Sequence, residues 1–208
     1  MEFIPVDLDT WARKEHFEHY FHQVPCTYSM TTKLDITPLI EAIEAKERLY
    51  PAMLYRIAKA VNQYQEFRMD LGPDGTLGFY TEMHPCYTIF HRDSETFSNL
   101  WTEYTDDYGA FCRAYQQDLE QFGSCKDMMA KPDVPVNTFP VSMVPWESFE
   151  GFNLNLQNGY RCLPPIFTMG KYQRDERGVW LPLSIQVNHA VCDGFHVCRF
   201  IAALREMI

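Results

Sequence analysis

The sequence has little positive charge and no long apolar run. Of its 208 residues, 18 are Lys or Arg and 28 are Asp or Glu, which gives a net charge of −10. Nucleic-acid binding needs a basic face for the phosphates, so we expect no nucleic-acid partner. No apolar stretch reaches the roughly 20 residues that cross a bilayer, and residues 1–7 lack the basic and apolar regions of a signal peptide. We therefore expect a cytoplasmic protein that makes no contact with a membrane.

The sequence also lacks the spacings of metal, disulfide and nucleotide sites. Its seven cysteines are scattered and form no Cys-x-x-Cys pair, so we expect reduced thiols and no structural zinc. His16, His19 and His22 could share a helix face, but no cysteine or carboxylate cluster accompanies them, and we predict no metal site. There is no Gly-rich phosphate loop and no Gly-x-Ser-x-Gly turn, which argues against a P-loop, a Rossmann cofactor or a serine hydrolase.

The composition is that of one globular domain spanning residues 1–208. Apolar residues make up 46% and aromatic residues 15% of the chain, enough for a sizeable core. Hydrophobic periodicity predicts helices at 11–22, 37–49, 52–65, 106–122 and 195–207. It predicts strands at 26–36, 76–80, 86–90, 139–143, 152–156, 164–172 and 179–187. Long helices mixed with hairpin-like strands indicate an α+β domain with a mixed, largely antiparallel sheet.

The most informative stretch is QVNHAVCDGFH, residues 186–196. A strand ending at Val187 delivers His189, and Asp193 follows four residues later. Histidine titrates near neutrality and is the natural general base for a hydroxyl, although a single histidine after a strand is more often a buried structural residue. Asp193 could orient the imidazole or form a salt bridge that holds the turn, and the local sequence leaves both open. Cys192 lies beside a carboxylate, which disfavours a thiolate, so we assign it to packing.

The motif His189-Ala-Val-Cys-Asp193-Gly-Phe-His matches the His-x-x-x-Asp-Gly signature of CoA-dependent acyltransferases. The exact residues of the motif resemble those of the type A chloramphenicol acetyltransferases. Other segments that resemble this family occur in the same order along nearly the whole chain, namely 11–17, 34–37, 66–69, 84–88, 95–97, 145–146, 152–155, 167–172 and 183–187. The ordered set is far more specific than the short motif.

The resemblance implies a fold, a reaction and an assembly. The fold would be that of CoA-dependent acyltransferases, a single-domain two-layer sandwich with helices packed on one face of the sheet. The reaction would move acetyl from acetyl-CoA, a co-substrate, to the 3-hydroxyl of chloramphenicol and so give antibiotic resistance, with no permanently bound cofactor. The assembly would be a homotrimer with active sites between subunits.

The resemblance also assigns roles to particular residues. His189 would take the hydroxyl proton as the oxygen attacks the thioester carbonyl, then return it to the CoA thiolate, with its tautomer held by a backbone carbonyl. Asp193 would pair with Arg13 and fix the loop. Ser142 would donate a hydrogen bond to the tetrahedral oxyanion, which is worth about 3–4 kcal/mol in such sites, and Thr168 would act through bound water.

An aromatic and aliphatic pocket would bind the antibiotic. Its lining would comprise Tyr20, Cys26, Tyr28, Phe152, Leu154 and Ile166, with Tyr172 on the CoA side. Three positions depart from the family pattern: Asn188 replaces a second histidine, Tyr28 replaces a phenylalanine, and Pro140 replaces an asparagine. These departures bear on drug binding and loop packing more than on the type of reaction.

Two other functions fit parts of the pattern. The catalytic domain of a dihydrolipoamide acyltransferase shares the histidine motif and fold, but we find no lipoyl-type domain or Ala/Pro-rich linker in this sequence. A non-enzymatic protein that binds an aromatic ligand would need neither His189 nor Ser142. We therefore favour the antibiotic acetyltransferase.

Overall fold

Two β-sheets and a set of α-helices make up the computed structural model, which describes residues 2–43, 48–156 and 161–208. In chain order the strands are β1 Phe3–Pro5, β2 Thr27–Asp35, β3 Met69–Leu71, β4 Leu77–Tyr80, β5 His84–His91, β6 Thr96–Trp101, β7 Thr138–Val144, β8 Ile166–Gly170, β9 Gln173–Asp175 and β10 Gly178–Asn188. The α-helices are α1 Lys14–Phe17, α2 Thr37–Ala42, α3 Leu49–Gln63, α4 Tyr108–Phe122 and α5 Gly194–Glu206. A π-helical segment, Glu18–Gln23, continues α1, and a 3₁₀ turn, Gln65–Phe67, follows α3.

The larger sheet has the strand order β2-β10-β8-β7-β5-β6, and β9 pairs with the start of β10. Strand β10 is antiparallel to β2 and β8, whereas β7 is parallel to both β5 and β8. The smaller sheet, β1-β4-β3, is antiparallel throughout. The predicted mixed and largely antiparallel sheet is therefore confirmed.

The core forms where the helices pack on the larger sheet. Helix α3 packs against α4, α5 and β5, and α5 also contacts β2. In α5, the Phe200 ring stacks on Phe67 and on Phe167 of β8, with ring centroids 4.7 and 5.2 Å apart. Apolar residues at helical spacing in α3 and at every second position of β10 supply the buried side chains, and their removal from water stabilises this packing. Strand β10 is thereby held rigidly between two neighbours and the helical layer.

Three sequence predictions differ from the structure. The break predicted at Tyr50–Pro51 is wrong, because α3 begins at Leu49 and Pro51 occupies its first turn, where no backbone donor is needed. The predicted helix 11–22 becomes π-helical after Phe17. The predicted strand 152–156 has no regular secondary structure, since side chains of β10 satisfy its backbone instead. The part of the predicted helix 37–49 that covers residues 44–47 lies outside the described residues.

Within the described ranges, no helix is both long enough and apolar enough to cross a membrane.

Candidate active site

His189 is the first residue after β10, and its imidazole packs between aromatic rings. Its backbone N–H donates to the Cys26 carbonyl at 3.0 Å. The ring stacks nearly parallel on Tyr20, with centroids 3.9 Å apart, and Tyr28 contacts it edge-on at 5.3 Å. The side chain remains 29% exposed, so a substrate can reach it. We call Tyr20, Cys26, Tyr28 and His189 the histidine half-site.

The turn that follows His189 is built on Asn188. Its carbonyl accepts from the N–H groups of Val191 and Cys192, and its side-chain oxygen accepts from the Ala190 N–H at 3.0 Å. The side-chain amide also donates to the Cys162 carbonyl at 3.3 Å. Asparagine commonly forms such turns because its short side chain reaches nearby backbone groups. At this position, where the sequence resemblance implies a histidine, the Asn188 side chain accepts a hydrogen bond within the turn and donates one to Cys162, which lies outside it.

Arg13 and Asp193 form the ion pair that the sequence resemblance predicts. The guanidinium of Arg13 donates to both carboxylate oxygens, with Nη2 3.0 Å from Oδ1, and Nη2 also lies 3.4 Å from the His189 carbonyl oxygen. These hydrogen bonds hold the pKa of Asp193 below its usual value, although partial burial acts in the opposite direction. The pair thus ties the start of α5 and the His189 backbone to the residue that precedes α1.

Asp193 also lies beside the imidazole. Its Oδ1 is 3.2 Å from Nδ1 of His189, but the alignment is not that of a hydrogen bond. Nδ1 is buried and has no hydrogen-bond partner within the described part of the chain, so the backbone-carbonyl contact implied by the resemblance is not formed here. The carboxylate can still stabilise a positive imidazolium through space, since an opposite charge at this distance favours the charged form.

Asp193→Asn should lower stability and activity together. The pKa of Asp193 is lower in the folded protein, so its stabilisation is present above the unfolded-state pKa and is lost as pH falls through the folded-state pKa. At pH 7 we expect a loss on the order of 2 kcal/mol, less than for a fully buried pair. Melting temperatures of the variant and the native protein should converge only as the pH falls through the lowered pKa of Asp193. Lost activity with an unchanged melting temperature would instead indicate a direct catalytic role for Asp193.

A row of hydroxyl groups crosses three adjacent strands of the larger sheet. Ser142 of β7 pairs with Thr168 of β8, which pairs with Ser184 of β10. The Ser142 and Thr168 hydroxyl oxygens are 3.1 Å apart, and Ser184 donates to the Phe152 carbonyl at 2.6 Å. Thr168 is almost fully buried, whereas Ser142 is half-buried. We call Ser142, Thr168 and Ser184 the hydroxyl row.

The histidine half-site and the hydroxyl row are far apart within one chain. His189 follows Ser184 by five residues, which corresponds to about 17 Å along a strand at the usual rise. Ser142 lies two strands to the side, which adds about 10 Å across the sheet. The two side chains are therefore separated by roughly 20 Å, whereas a reacting atom would need to lie about 3 Å from each.

The irregular segment 152–156 is attached to β10 by side-chain hydrogen bonds. The Gln186 amide accepts from the Leu154 N–H at 2.8 Å and donates to the Leu154 carbonyl at 3.0 Å. A cleft of about 230 Å³ lies beside this attachment. Its lining comprises Thr27, Tyr28, Ser29, Asn153, Leu154, Asn155 and Gln186.

The other predicted pocket residues have different positions. Ile166 lines a small recess next to Gln186, and Phe152 packs against Phe149 with ring centroids 5.3 Å apart. Tyr172 is exposed beyond the end of β8 and lines neither the cleft nor the recess. Within one chain, Tyr28 and Leu154 thus line the same cleft. The whole predicted pocket is not assembled there.

Sequence reasoning missed the supporting roles of the buried polar residues of β10. Ser184, Gln186 and Asn188 occur at every second position of a strand that is otherwise almost entirely apolar, and all three are buried. Buried polar groups are normally hydrogen-bonded, so this alternation is a signal that could have been used. Cys192 is also buried, which raises the pKa of its thiol and agrees with a packing role. No group of three or more His, Cys, Asp or Glu in the described residues is arranged to hold a metal ion.

The chain is similar in sequence to chloramphenicol acetyltransferases over almost its whole length. Residues 1–205 match the family model described as chloramphenicol acetyltransferase. A chloramphenicol acetyltransferase of Vibrio anguillarum is 60% identical over 208 residues, covering 100% of this chain and 95% of that protein. One of Campylobacter coli is 53% identical, covering 100% of this chain and 99% of that protein.

Solved structures share the fold at lower identity. A chloramphenicol acetyltransferase superposes with a TM-score of 0.82 at 19% identity, covering 99% of both chains. The dihydrolipoamide acetyltransferase of Azotobacter vinelandii superposes with a TM-score of 0.67 at 18% identity, covering 93% of this chain and 85% of that one. The predicted α+β fold of the CoA-dependent acyltransferases is thereby confirmed.

Proposed function

Because this chain belongs to the chloramphenicol acetyltransferase family, we propose a mechanism in which His189 is the general base of the transfer. As a member of this family, the chain is an enzyme that acetylates chloramphenicol and so confers resistance to it. The observation that carries the mechanism is the imidazole held at the end of β10, stacked on Tyr20 and open to substrate. Acetyl-CoA would be the acetyl donor, and no resident cofactor is required. A cytoplasmic location would supply acetyl-CoA and keep the seven thiols reduced.

In the proposed reaction, His189 accepts the proton of the chloramphenicol 3-hydroxyl while that oxygen attacks the thioester carbonyl carbon. Since Nδ1 is buried, Nε2 is the nitrogen that can reach the hydroxyl. The resulting tetrahedral intermediate collapses with cleavage of the carbon–sulfur bond, and the imidazolium returns the proton to the CoA thiolate. Asp193, close to Nδ1 and held as an anion by Arg13, stabilises the transient imidazolium.

Ser142 is proposed as the donor to the oxyanion of the intermediate. A preorganised donor is effective because it does not have to reorient as charge develops. The Thr168 hydroxyl, 3.1 Å from that of Ser142 and almost fully buried, supports this orientation and could hold the water that the resemblance implies.

We also propose that the chain is one acetyltransferase domain that assembles as a homotrimer. The separation of roughly 20 Å prevents His189 and Ser142 of one chain from acting on the same atom. A neighbouring copy can supply the missing group, because the histidine half-site and the hydroxyl row are roughly 20 Å apart in one chain and head-to-tail contacts between copies can close into rings. The exposed aromatic residues Phe90, Phe97 and Trp146 offer apolar area for such a contact.

The aryl group of the antibiotic would lie between the histidine half-site and the wall formed by Phe152, Leu154 and Ile166, with Tyr172 on the CoA side. The Tyr28 hydroxyl donates to the Cys192 carbonyl at 3.3 Å. Burial raises the pKa of this hydroxyl, so it stays protonated as a donor. The extra oxygen relative to phenylalanine is therefore directed into the turn.

A thiol-release assay with acetyl-CoA and chloramphenicol tests the proposed function. We expect thiol release that depends on both substrates and disappears with a 3-deoxy analogue of chloramphenicol. Chloramphenicol binding without thiol release would contradict the proposal and favour a non-enzymatic binding protein.

Mixed assemblies test the shared site. His189→Ala and Ser142→Ala subunits, each nearly inactive alone, should recover about one quarter of native activity when mixed equally and reassembled, because one interface in four then has both intact residues. The control is the double variant mixed with His189→Ala, in which no interface has both residues. No recovery from the first mixture, despite normal assembly, would place both residues of a site in one chain.

A further inference from the structure

A second histidine adjoins the active-site turn. His196 lies in the first turn of α5, and its Nδ1 accepts a hydrogen bond from the Asp193 backbone N–H at 2.9 Å. A ring nitrogen that accepts is unprotonated, so the proton of the neutral ring is on Nε2. That nitrogen lies 3.5 Å from a carboxylate oxygen of Glu66, and only 12% of the His196 side chain is exposed.

Glu66 is itself held in place. It belongs to the 3₁₀ turn Gln65–Phe67, and its second carboxylate oxygen accepts from Arg199 of α5 at 2.9 Å. The Arg199 guanidinium also lies over the Tyr64 ring, 4.4 Å from its centroid. His196 is therefore fixed from both sides, by the turn that carries Glu66 and by the backbone of Asp193.

These contacts form a continuous path to the proposed general base. It begins at Glu66, which contacts His196, and His196 accepts from the backbone of Asp193. The Asp193 carboxylate then binds Arg13, and Nη2 of Arg13 reaches the His189 carbonyl oxygen. A change at His196 can alter the position of Asp193 and hence the environment of the imidazole. Small displacements matter, since a shift of about 1 Å in catalytic geometry can cost as much as 10²-fold in rate.

We propose that neutral His196 is a positioning residue that holds Asp193, and through it Arg13 and His189, in the catalytic arrangement. The inference rests on the proposed role of His189 and adds a second histidine whose protonation state controls activity.

Protonation would break this arrangement. A proton on Nδ1 would face the Asp193 N–H, so that two donors would meet where one hydrogen bond now forms. The charges that face His196 are Glu66 and Asp193, which favour the imidazolium, and Arg13 and Arg199, which oppose it. Burial is the largest influence and lowers the pKa of His196 below its usual value. Activity should therefore fall as pH drops through the lowered pKa of His196.

Two substitutions separate hydrogen bonding from titration. In His196→Gln, a side-chain oxygen at the third helical position can accept from the Asp193 N–H, as in a capping box, but cannot titrate. His196→Leu removes the acceptor. At pH 8 we expect the Gln variant to keep kcat within about 3-fold of native and the Leu variant to lose about 10- to 100-fold in kcat, with a much smaller change in KM for chloramphenicol.

The pH profile is the decisive measurement. On the acid side, the slope of log kcat/KM against pH should be steeper by about 1 in the native enzyme than in His196→Gln, because the native enzyme has one more group whose protonation abolishes activity. Equal slopes in both proteins would overturn the inference. If His196→Leu fails to fold, the pH profile of His196→Gln still tests the inference. An active His189→Ala enzyme would refute the proposed base itself, whereas failure of the present inference leaves His189→Ala inactive.

Discussion

His189→Ala should lower kcat by about four orders of magnitude, the upper end of what a positioned general base contributes. Alanine removes the only group of the histidine half-site that can take the hydroxyl proton. The effect should fall on kcat far more than on KM, since the walls formed by Tyr20 and Tyr28 remain. Steady-state thiol release at saturating acetyl-CoA measures both constants.

The control for this loss is a check that the variant is folded and assembled. The backbone N–H of residue 189 still donates to Cys26, and Arg13 still binds Asp193, so assembly and melting temperature should change little. Tyr20→Phe is a matched variant, because it keeps the ring stacked on the imidazole and removes only a hydroxyl. Near-native turnover by correctly assembled His189→Ala would refute the assignment of the base.

Ser142→Ala should lower kcat by about 10²- to 10³-fold, the usual cost of removing one oxyanion donor. Because this hydrogen bond is strongest to the negative oxygen of the intermediate, kcat and kcat/KM should fall together while chloramphenicol affinity is retained. Equilibrium binding of the drug, measured by calorimetry, separates the two effects.

Ser184→Ala is the matched control, since Ser184 is the same residue type in the same hydroxyl row. Its hydroxyl already donates to the Phe152 carbonyl, so its loss should disturb segment 152–156 and drug affinity more than turnover. A larger loss of kcat in Ser184→Ala than in Ser142→Ala would reverse the assignment of the oxyanion donor.

The sequence predicted the elements that carry strong periodicity. Strand β10, with apolar residues at alternate positions, and helices α3 and α5, with apolar stripes, lie close to their predicted positions. It did not predict β1, β3 or β9, because strands of three residues are too short to show a period. It also missed the six-residue strand β6. Segment 152–156 misled the prediction, since its alternating Asn and Leu residues imitate a strand although Gln186 takes the place of a backbone partner.

The family and the reaction could be assigned from the sequence alone, and the active-site turn could be predicted from it, because the His-x-x-x-Asp-Gly motif and the ordered segments around it are local patterns. The tertiary structure decided which distant groups meet. It pairs Arg13 with Asp193 across 180 positions, gives Asn188 its place in the turn, and connects His196 to Glu66. It also separates Ser142 from His189 within one chain. Spacing along a chain determines side-chain direction over a few residues, whereas distances between strands depend on their order and register, which form only when the core packs.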